Sequence, residues 1–270
     1  MTVREAIKDA ECWLGKSGVS SSRLDAELLL AHIIEKDRVW LVAHDEEELA
    51  PEIRQQYAIL VQKRTQRVPL VHLTKMREFY GLKLFITADT LTPRVETEQM
   101  VEWAIKYAPK NGRIIDIGTG SGAIAVAMAK HRPDLKITGT EVSLPALEVA
   151  KSNAARHKTA IDLVESDLWD NIEGTFEVIV TNLPYLRDDA KQDLMEEVKY
   201  EPDVALFGGE DGLDLYRRFL MGIPKYLDKD GFLFTECDPW QHEELIAEAS
   251  KYRLKPIEQG YFILGFQLQG

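Results

Sequence analysis

The chain has 270 residues, room for one large domain or two small ones, which excludes a mini-protein stapled by disulfides. With 45% hydrophobic and 29% charged residues it is composed like an ordinary globular protein, neither disordered nor collagenous. Thirty-three Lys plus Arg against 45 Asp plus Glu leave a formal charge of −12, which disfavours non-specific binding to phosphate backbones.

Met1–Leu14 is charged and mixed, unlike a signal peptide, and the longest apolar run, Ala123–Ala129, is far short of a bilayer span. Cys12 and Cys237 form no CxxC pair, as suits a reduced enzyme. A soluble, cytoplasmic protein with no membrane partner is expected. In the first third, Val3, Ile7, Ala10 and Leu14 recur at helical spacing, and Leu24, Leu28 and Ile33 do much the same after the cap candidates Ser20, Ser21 and Ser22. A third helix is predicted to open at Pro51, carry Ile53, Tyr57, Leu60 and Val61 on one side, and stop at Pro69. These residues make a small helical bundle. Phe79–Thr87, aromatic and β-branched around Gly81, reads as a hairpin leading to Pro93.

From Arg113 onward strands and helices alternate. Strands are predicted over Arg113–Ile117, Leu135–Thr140, Ile161–Glu165, Phe176–Thr181 and Gly231–Glu236. Helices are predicted over Gly122–His131, Leu144–His157 and Leu213–Leu227, the last with one proline interruption. Gly260–Gln269 has no helical period and reads as a returning antiparallel strand. The order implies an α/β fold with a mainly parallel sheet covered by helices on both faces.

Asp116-Ile117-Gly118-Thr119-Gly120-Ser121-Gly122 lies where the first strand of that sheet meets its helix. Alternate glycines let the backbone turn tightly and approach a ligand. Glu141 ends the next strand, 23 residues after Gly118, where a carboxylate can accept from both hydroxyls of a ribose. A nucleoside cofactor follows. Gly118-x-Gly120-x-x-Ala123 also meets the looser dinucleotide pattern, so the glycines alone do not choose between cofactors. Asp116 tilts the choice to S-adenosylmethionine, because an acid there can meet an ammonium but would repel a pyrophosphate. Asp167, just past the third strand, is a candidate acceptor for an adenine amino group.

Phe176–Thr181 runs into Asn182-Leu183-Pro184-Tyr185, a turn at the same carboxyl edge. An amide nitrogen is a poor nucleophile, and acceptors for its N–H groups can aim it and act most strongly as positive charge develops. The Asn182 side-chain oxygen and the Leu183 carbonyl are two such acceptors, and the Tyr185 ring could wall a planar group.

With these residues in place the chain resembles the release-factor glutamine methyltransferases, protein-(glutamine-N5) methyltransferases that modify the glutamine of a Gly-Gly-Gln motif in peptide-chain release factors. The resemblance runs through Arg23–Leu30, Arg77–Leu82, Leu91–Glu98 and the Asp116–Gly122 loop. Its most specific parts are Tyr200-Glu201-Pro202, Ala205–Gly209 and Asp211–Leu213, a block that general adenine methyltransferases lack. It implies a Rossmann-like class I S-adenosylmethionine-dependent methyltransferase domain over 93–270, a β-hairpin linker over 73–92 and a helical substrate-recognition domain over 1–72. The implied catalytic residues are Asn182, Leu183, Pro184 and Tyr185. Cofactor contacts fall to Asp116, Gly118, Thr119, Gly120, Ser121, Gly122, Glu141, Val142, Asp167, Leu168 and Asn182. The sequence departs from the family at Leu183 and Val95, where proline is usual, and Lys255–Gly270 lacks the usual Asp-Leu-x-Gly-x-x-Arg signature.

Two other readings use some of the same features. An adenine-N6 methyltransferase of DNA or RNA can hold an exocyclic amine in such a turn, but the charge of −12 and the Tyr200–Leu213 block oppose it. A non-methylating adenosine sensor would not need the complete Asn182 to Tyr185 turn. The six histidines are scattered, Cys237-x4-His242 is the nearest approach to a ligand pair, and no metal is expected. Glu46-Glu47-Glu48 reads as a solvated face. A monomer without direct nucleic-acid contact is expected.

Overall fold

The computed structural model describes residues 1–270 as two compact units. One comprises Met1–Met76 with Met195–Tyr200, the other Arg77–Leu194 with Glu201–Gly270. No helix is long and apolar enough to cross a membrane.

The first unit is helical. Its first helix, α1 (Val3–Lys16), opens in a capping box: Thr2 accepts from the Glu5 N–H while Glu5 accepts from the Thr2 N–H. It buries Val3, Ala6, Ile7, Ala10 and Leu14, which includes all four predicted positions. In α2 (Ser22–Ile34) the predicted stripe is displaced. Leu24 is 40% exposed, and Ala26, Leu29 and Leu30 form the core face instead. The run Leu28–Ala31 is apolar on several sides, so spacing alone cannot choose a face. The choice is settled by pairing of buried charges, which cannot be left alone. Arg64 Nε donates to Asp25 at 2.7 Å, and Glu27 takes hydrogen bonds from Arg23 at 2.6 Å and from Arg38 Nε at 2.8 Å. Ser21 occupies the cap position, yet its hydroxyl donates to Asp25 and caps no N–H.

Next come α3 (Arg38–Ala43), capped by Asp37, and α4 (Pro51–Thr65), with proline in its first turn as predicted. The fourth helix ends before Pro69, which instead precedes α5 (Leu70–Thr74). Within this unit Glu197 accepts from Arg64 at 2.9 Å and from Arg67 at 2.8 and 2.7 Å, so its carboxyl titrates below the usual range, chiefly through Arg67.

A hairpin of β1 (Met76–Phe79) and β2 (Leu82–Phe85) turns on Tyr80 and Gly81, whose positive φ values suit a two-residue turn. After α6 (Glu98–Tyr107), an amphipathic helix that buries Met100, Val101 and Ala104 and is not among those predicted, the predicted alternation is present. It runs β3 (Arg113–Ile117), α7 (Ala123–His131), β4 (Lys136–Glu141), α8 (Leu144–His157), β5 (Ile161–Glu165) and β6 (Phe176–Thr181). Then follow α9 (Asp214–Leu220), α10 (Ile223–Tyr226), β7 (Leu227–Glu236), α11 (His242–Ser250), β8 (Leu254–Gln259) and β9 (Ile263–Leu268). The single helix predicted over Leu213–Leu227 is thus two, with Pro224 in the first turn of the second. The final strand is antiparallel, as expected, and carries an unforeseen partner, β8.

The seven strands lie in the order β5-β4-β3-β6-β7-β9-β8, parallel through β7. Strand order reverses at β3, and a crevice forms where neighbouring crossovers leave in opposite directions. Register brings Ile117 level with Thr140 and Thr181, and Thr181 level with Thr235. Glu141, Asn182 and Glu236 therefore stand at one carboxyl edge.

Candidate active site

The glycine loop turns from β3 into α7 with Gly118, Gly120 and Gly122 at φ of 73, 57 and 80°. These are left-handed values that a side chain would resist. A Cβ added at Gly120 would meet nothing within 4 Å, so its conformation demands glycine while the space above stays free for a ligand. Gly122 serves packing: a Cβ there would lie 3.2 Å from the Ala150 Cα of α8. The Thr119 N–H donates to Thr140 at 2.7 Å, and Gly120 N–H donates to Glu141 Oε2 at 2.9 Å. Asn153, fully buried on α8, accepts from Phe85 N–H at 2.7 Å and donates to the carbonyls of Phe85 and Ser121, pinning the loop's far side to β2.

Above the loop lies a cleft of about 310 Å³, large enough to be a small-molecule site. Gly118, Thr119, Gly120, Ser121, Glu141, Val142, Asp167, Leu168, Asn182, Leu183 and Pro184 all line it. Glu141 Oε1 accepts from Ser143 N–H at 2.9 Å; each carboxylate oxygen has thus spent one lone pair and keeps another for a hydroxyl. Asp167 forms an ion pair with Arg218, 2.8 Å away, and both line the cleft.

Asp116, in contrast, is fully buried beneath the loop and not on the cleft wall. Thr119 donates to its Oδ2 at 2.6 Å, while Oδ1 has no partner. Burial pushes its carboxyl up to about 7, against the opposing hydrogen bonds of Thr119 and the Ala125 backbone, and nearby Glu141 adds to the rise.

Asn182 and the buried Leu183 line the cleft from the end of β6, where the Leu183 side chain packs over Gly118. The Tyr185 ring does not line the cleft as anticipated: it packs against the core, and its hydroxyl donates to Glu236 at 3.1 Å. Glu236, 2% exposed at the end of β7, also accepts from Thr97 Oγ1 at 2.6 Å. Burial raises its carboxyl above the usual range, against the pull of the Thr97 and Tyr185 hydroxyls. The Tyr216 hydroxyl hydrogen-bonds the Glu236 carbonyl and lies 3.3 Å from the Leu183 carbonyl.

The block after the turn is pressed against it. A Cβ at Gly208 would stand 2.4 Å from the Pro184 carbonyl, and one at Gly212 (φ 78°) would stand 2.1 Å from the Tyr185 carbonyl. Gln241 donates to that same Tyr185 carbonyl at 3.0 Å. Leu186 and Gly208 exchange backbone bonds with this stretch, Leu186 N–H to Leu206 at 2.9 Å and Gly208 N–H to Leu186 at 2.8 Å. Sequence reasoning missed Glu236, Tyr216, Thr97 and Arg218. For Glu236 a signal existed, since an acid ends a strand already read as part of the parallel sheet.

Fold and site together define a Rossmann-like methyltransferase. Residues 98–202 match the family model "Methyltransferase small domain", and residues 5–74 match "PrmC N-terminal domain". The chain is 37% identical over 252 residues to a release factor glutamine methyltransferase of Geobacter sulfurreducens, covering 93% of this chain and 89% of that one. It is 35% identical to one of Koribacter versatilis, over 96% of each. Among solved structures, a methyltransferase of Pyrococcus furiosus superposes with a TM-score of 0.54 at 19% identity, covering 80% of this chain and 98% of that one, which shows the shared fold. The chain belongs to the release factor glutamine methyltransferase family.

Proposed function

We propose that this protein transfers a methyl group from S-adenosyl-L-methionine to the side-chain amide nitrogen (N5) of the Gly-Gly-Gln glutamine of peptide-chain release factors, supporting translation termination. The observation that carries this reading is the pair of acceptors, Asn182 and the Leu183 carbonyl, lining one cleft with a glycine loop and Glu141, in a chain of this family. The cleft suits the cofactor in three respects. Space stands open over Gly120, Glu141 keeps free lone pairs beside it, and Asp116 Oδ1 is a buried acceptor without a donor.

When bound, S-adenosylmethionine supplies an electrophilic sulfonium methyl. Glu141 would hold the ribose hydroxyls, and Asp116, from beneath the loop, would favour the ammonium through space. Oδ1 of Asn182 and the Leu183 carbonyl would each take one amide N–H, which leaves the nitrogen lone pair aimed across the cleft. As positive charge grows on nitrogen those two bonds strengthen, so they lower the barrier more than they aid substrate binding. No strong base is needed, because the nitrogen becomes acidic as it is alkylated, and the proton can leave to water. Residues 1–72 would recognise the protein substrate, since they carry no cofactor or acceptor residue.

Incubation with labelled S-adenosylmethionine and three separate acceptors tests the reading: a release factor, its Gln-to-Ala variant and duplex DNA. Label in the unaltered release factor alone is expected. Label in the Gln-to-Ala variant would move the site to another residue, and label in DNA would favour adenine methylation.

A further inference from the structure

The Asp167 side chain is half exposed, and a carboxylate so placed turns freely unless a donor holds one of its oxygens. We infer that Arg218 is a positioning residue of the cofactor site: it holds one oxygen of Asp167 so that the other reads the exocyclic amine of the cofactor's base. This rests on the proposed S-adenosylmethionine site and adds a residue that no sequence motif marks.

The turn that carries Asp167 is fixed at the right place. It follows β5, which pairs with β4 so that Glu165 stands level with Glu141, and the Ser166 N–H donates to the Glu141 carbonyl at 3.0 Å. Along the sheet edge the order is glycine loop, Glu141, Asp167, which puts Asp167 one strand beyond the acid assigned to the ribose, where the base follows. Leu168 has a φ of 50°, a conformation that a non-glycine residue resists. The Ser166 hydroxyl holds it, donating to the Leu168 carbonyl at 3.0 Å and accepting from the Asn171 N–H at 3.1 Å. The approach of Arg218 is set by packing as well. Trp169 Nε1 donates to the Phe219 carbonyl at 2.8 Å, and the indole stacks on Phe219 and Tyr226 with ring centroids 5.2 and 4.6 Å apart. Phe219, the residue after Arg218, is fully buried. Core packing thus docks α9 on this turn, and Arg218 Nη2 meets Asp167 Oδ2 at 2.8 Å where both residues line the cleft. An arginine has donors and no acceptor, so it holds an oxygen and leaves Oδ1 for the ligand. A fixed acceptor there attracts the amine of adenine and repels the carbonyl oxygen that replaces it in hypoxanthine. A loose Asp167 would swing into water and do neither. Since a half-exposed ion pair adds little to the stability of a fold, variants of Arg218 are expected to fold.

Calorimetric affinities for two ligands, S-adenosylhomocysteine and its deaminated analogue S-inosylhomocysteine, test the inference. The wild type is expected to prefer the first by about 30-fold, the scale of a hydrogen bond to a charged group. Arg218→Ala should bind S-adenosylhomocysteine about fivefold more weakly and the inosine analogue within about twofold of wild type, because attraction and repulsion are lost together. A residue that merely supports the site would weaken both ligands alike. Asp167→Asn gives a second readout. Arg218 can take only the amide oxygen of the new side chain, which turns its NH2 group to the base, so the preference should invert in favour of the inosine analogue. In Asp167→Asn/Arg218→Ala the amide is free to turn, and the two ligands should bind within about threefold of each other. Equal weakening of both ligands in Arg218→Ala, an unchanged affinity for S-adenosylhomocysteine, or an Asp167→Asn variant that keeps the wild-type preference would overturn the inference. A wild type that binds neither ligand would refute the cofactor reading, and the inference with it.

Discussion

The two walls of the cleft are built by opposite means. The cofactor wall is local: within seven residues, Asp116–Gly122, the chain turns, opens space and closes on itself, and one further contact comes from Glu141 at the next strand end. The acceptor wall is assembled from afar. The turn Asn182–Tyr185 is held by the Tyr216 hydroxyl at the Leu183 carbonyl, by Glu236 at the Tyr185 hydroxyl, by Gln241 at the Tyr185 carbonyl, and by two glycines pressed onto the Pro184 and Tyr185 carbonyls. A wall made by a short segment binds through its backbone, whereas a wall fixed by several distant groups can hold a side-chain amide in one orientation. That suits the tasks: cofactor binding tolerates small movement, while methyl transfer depends on alignment of the reacting atoms.

If the walls are separable in this way, substitutions should divide cleanly between them. The largest effect belongs to the acceptor wall. Asn182→Ala is expected to remove on the order of 3 kcal/mol of transition-state stabilisation, as for loss of one preorganised polar group. Single-turnover methylation at saturating cofactor reads it, and the loss of cofactor affinity should be much smaller, since Asn182 also lines the cofactor cleft. On the other wall, Glu141→Ala should weaken S-adenosylmethionine binding by about 2 kcal/mol, the scale of hydrogen bonds to a charged group. Calorimetry of a folded variant measures that loss, and an unchanged affinity would take Glu141 out of the site.

A smaller effect is pH-dependent and arises from Asp116. Its carboxyl sits near 7 in the ligand-free protein because it is buried, so the neutral form predominates below that pH. Binding an ammonium favours the charged form. Affinity for S-adenosylmethionine should therefore fall as pH drops, by about tenfold from pH 8 to pH 6, or about 1.4 kcal/mol. Stability of the ligand-free protein moves the opposite way: a carboxyl raised by folding favours the folded state at low pH and loses that contribution as pH rises from about 4 to about 7. Asp116→Asn should flatten both dependences, measured by calorimetry and by thermal unfolding across that range. The smallest effect is expected at the family's departure. Leu183→Pro keeps the backbone carbonyl, and Pro184 already confines residue 183 to extended conformations, so activity should drop by less than about 1 kcal/mol. A large loss in a rate assay would mean that the Leu183 side chain, packed over Gly118, does more than fill space.

The same contrast decides how much could be read from the chain alone. The sheet was legible because its central strands, Ile114–Ile117 and Val178–Val180, are buried on both faces and apolar but for Asp116. The glycine loop and Glu141 were legible because their chemistry is set by spacing along one βαβ unit. Asn182 and Leu183 were legible as types of group, but not the supports of their turn, which lie 33 positions from Leu183 in Tyr216 and 51 from Tyr185 in Glu236. Two side chains went astray for one reason. Asp116 and Tyr185 were read as facing the ligand from their positions in motifs, while tertiary packing buries the first beneath the loop and turns the second onto Glu236. Strand alternation cannot foretell either. Likewise α2, apolar on several sides, had its core face chosen by the Asp25–Arg64 pair rather than by period.

Separability of the walls is tested most directly by measuring two quantities on two variants, Asn182→Ala and Glu141→Ala: calorimetric affinity for S-adenosylmethionine, and single-turnover methylation of a release factor at saturating cofactor. A double dissociation is predicted. Asn182→Ala should bind the cofactor within fivefold of wild type and methylate more than 100-fold slower, while Glu141→Ala should bind it more than fivefold more weakly and, once saturated, methylate within fivefold of wild type. Equal loss of both quantities in both variants would contradict the account, because it would mean that the two walls act as a single unit.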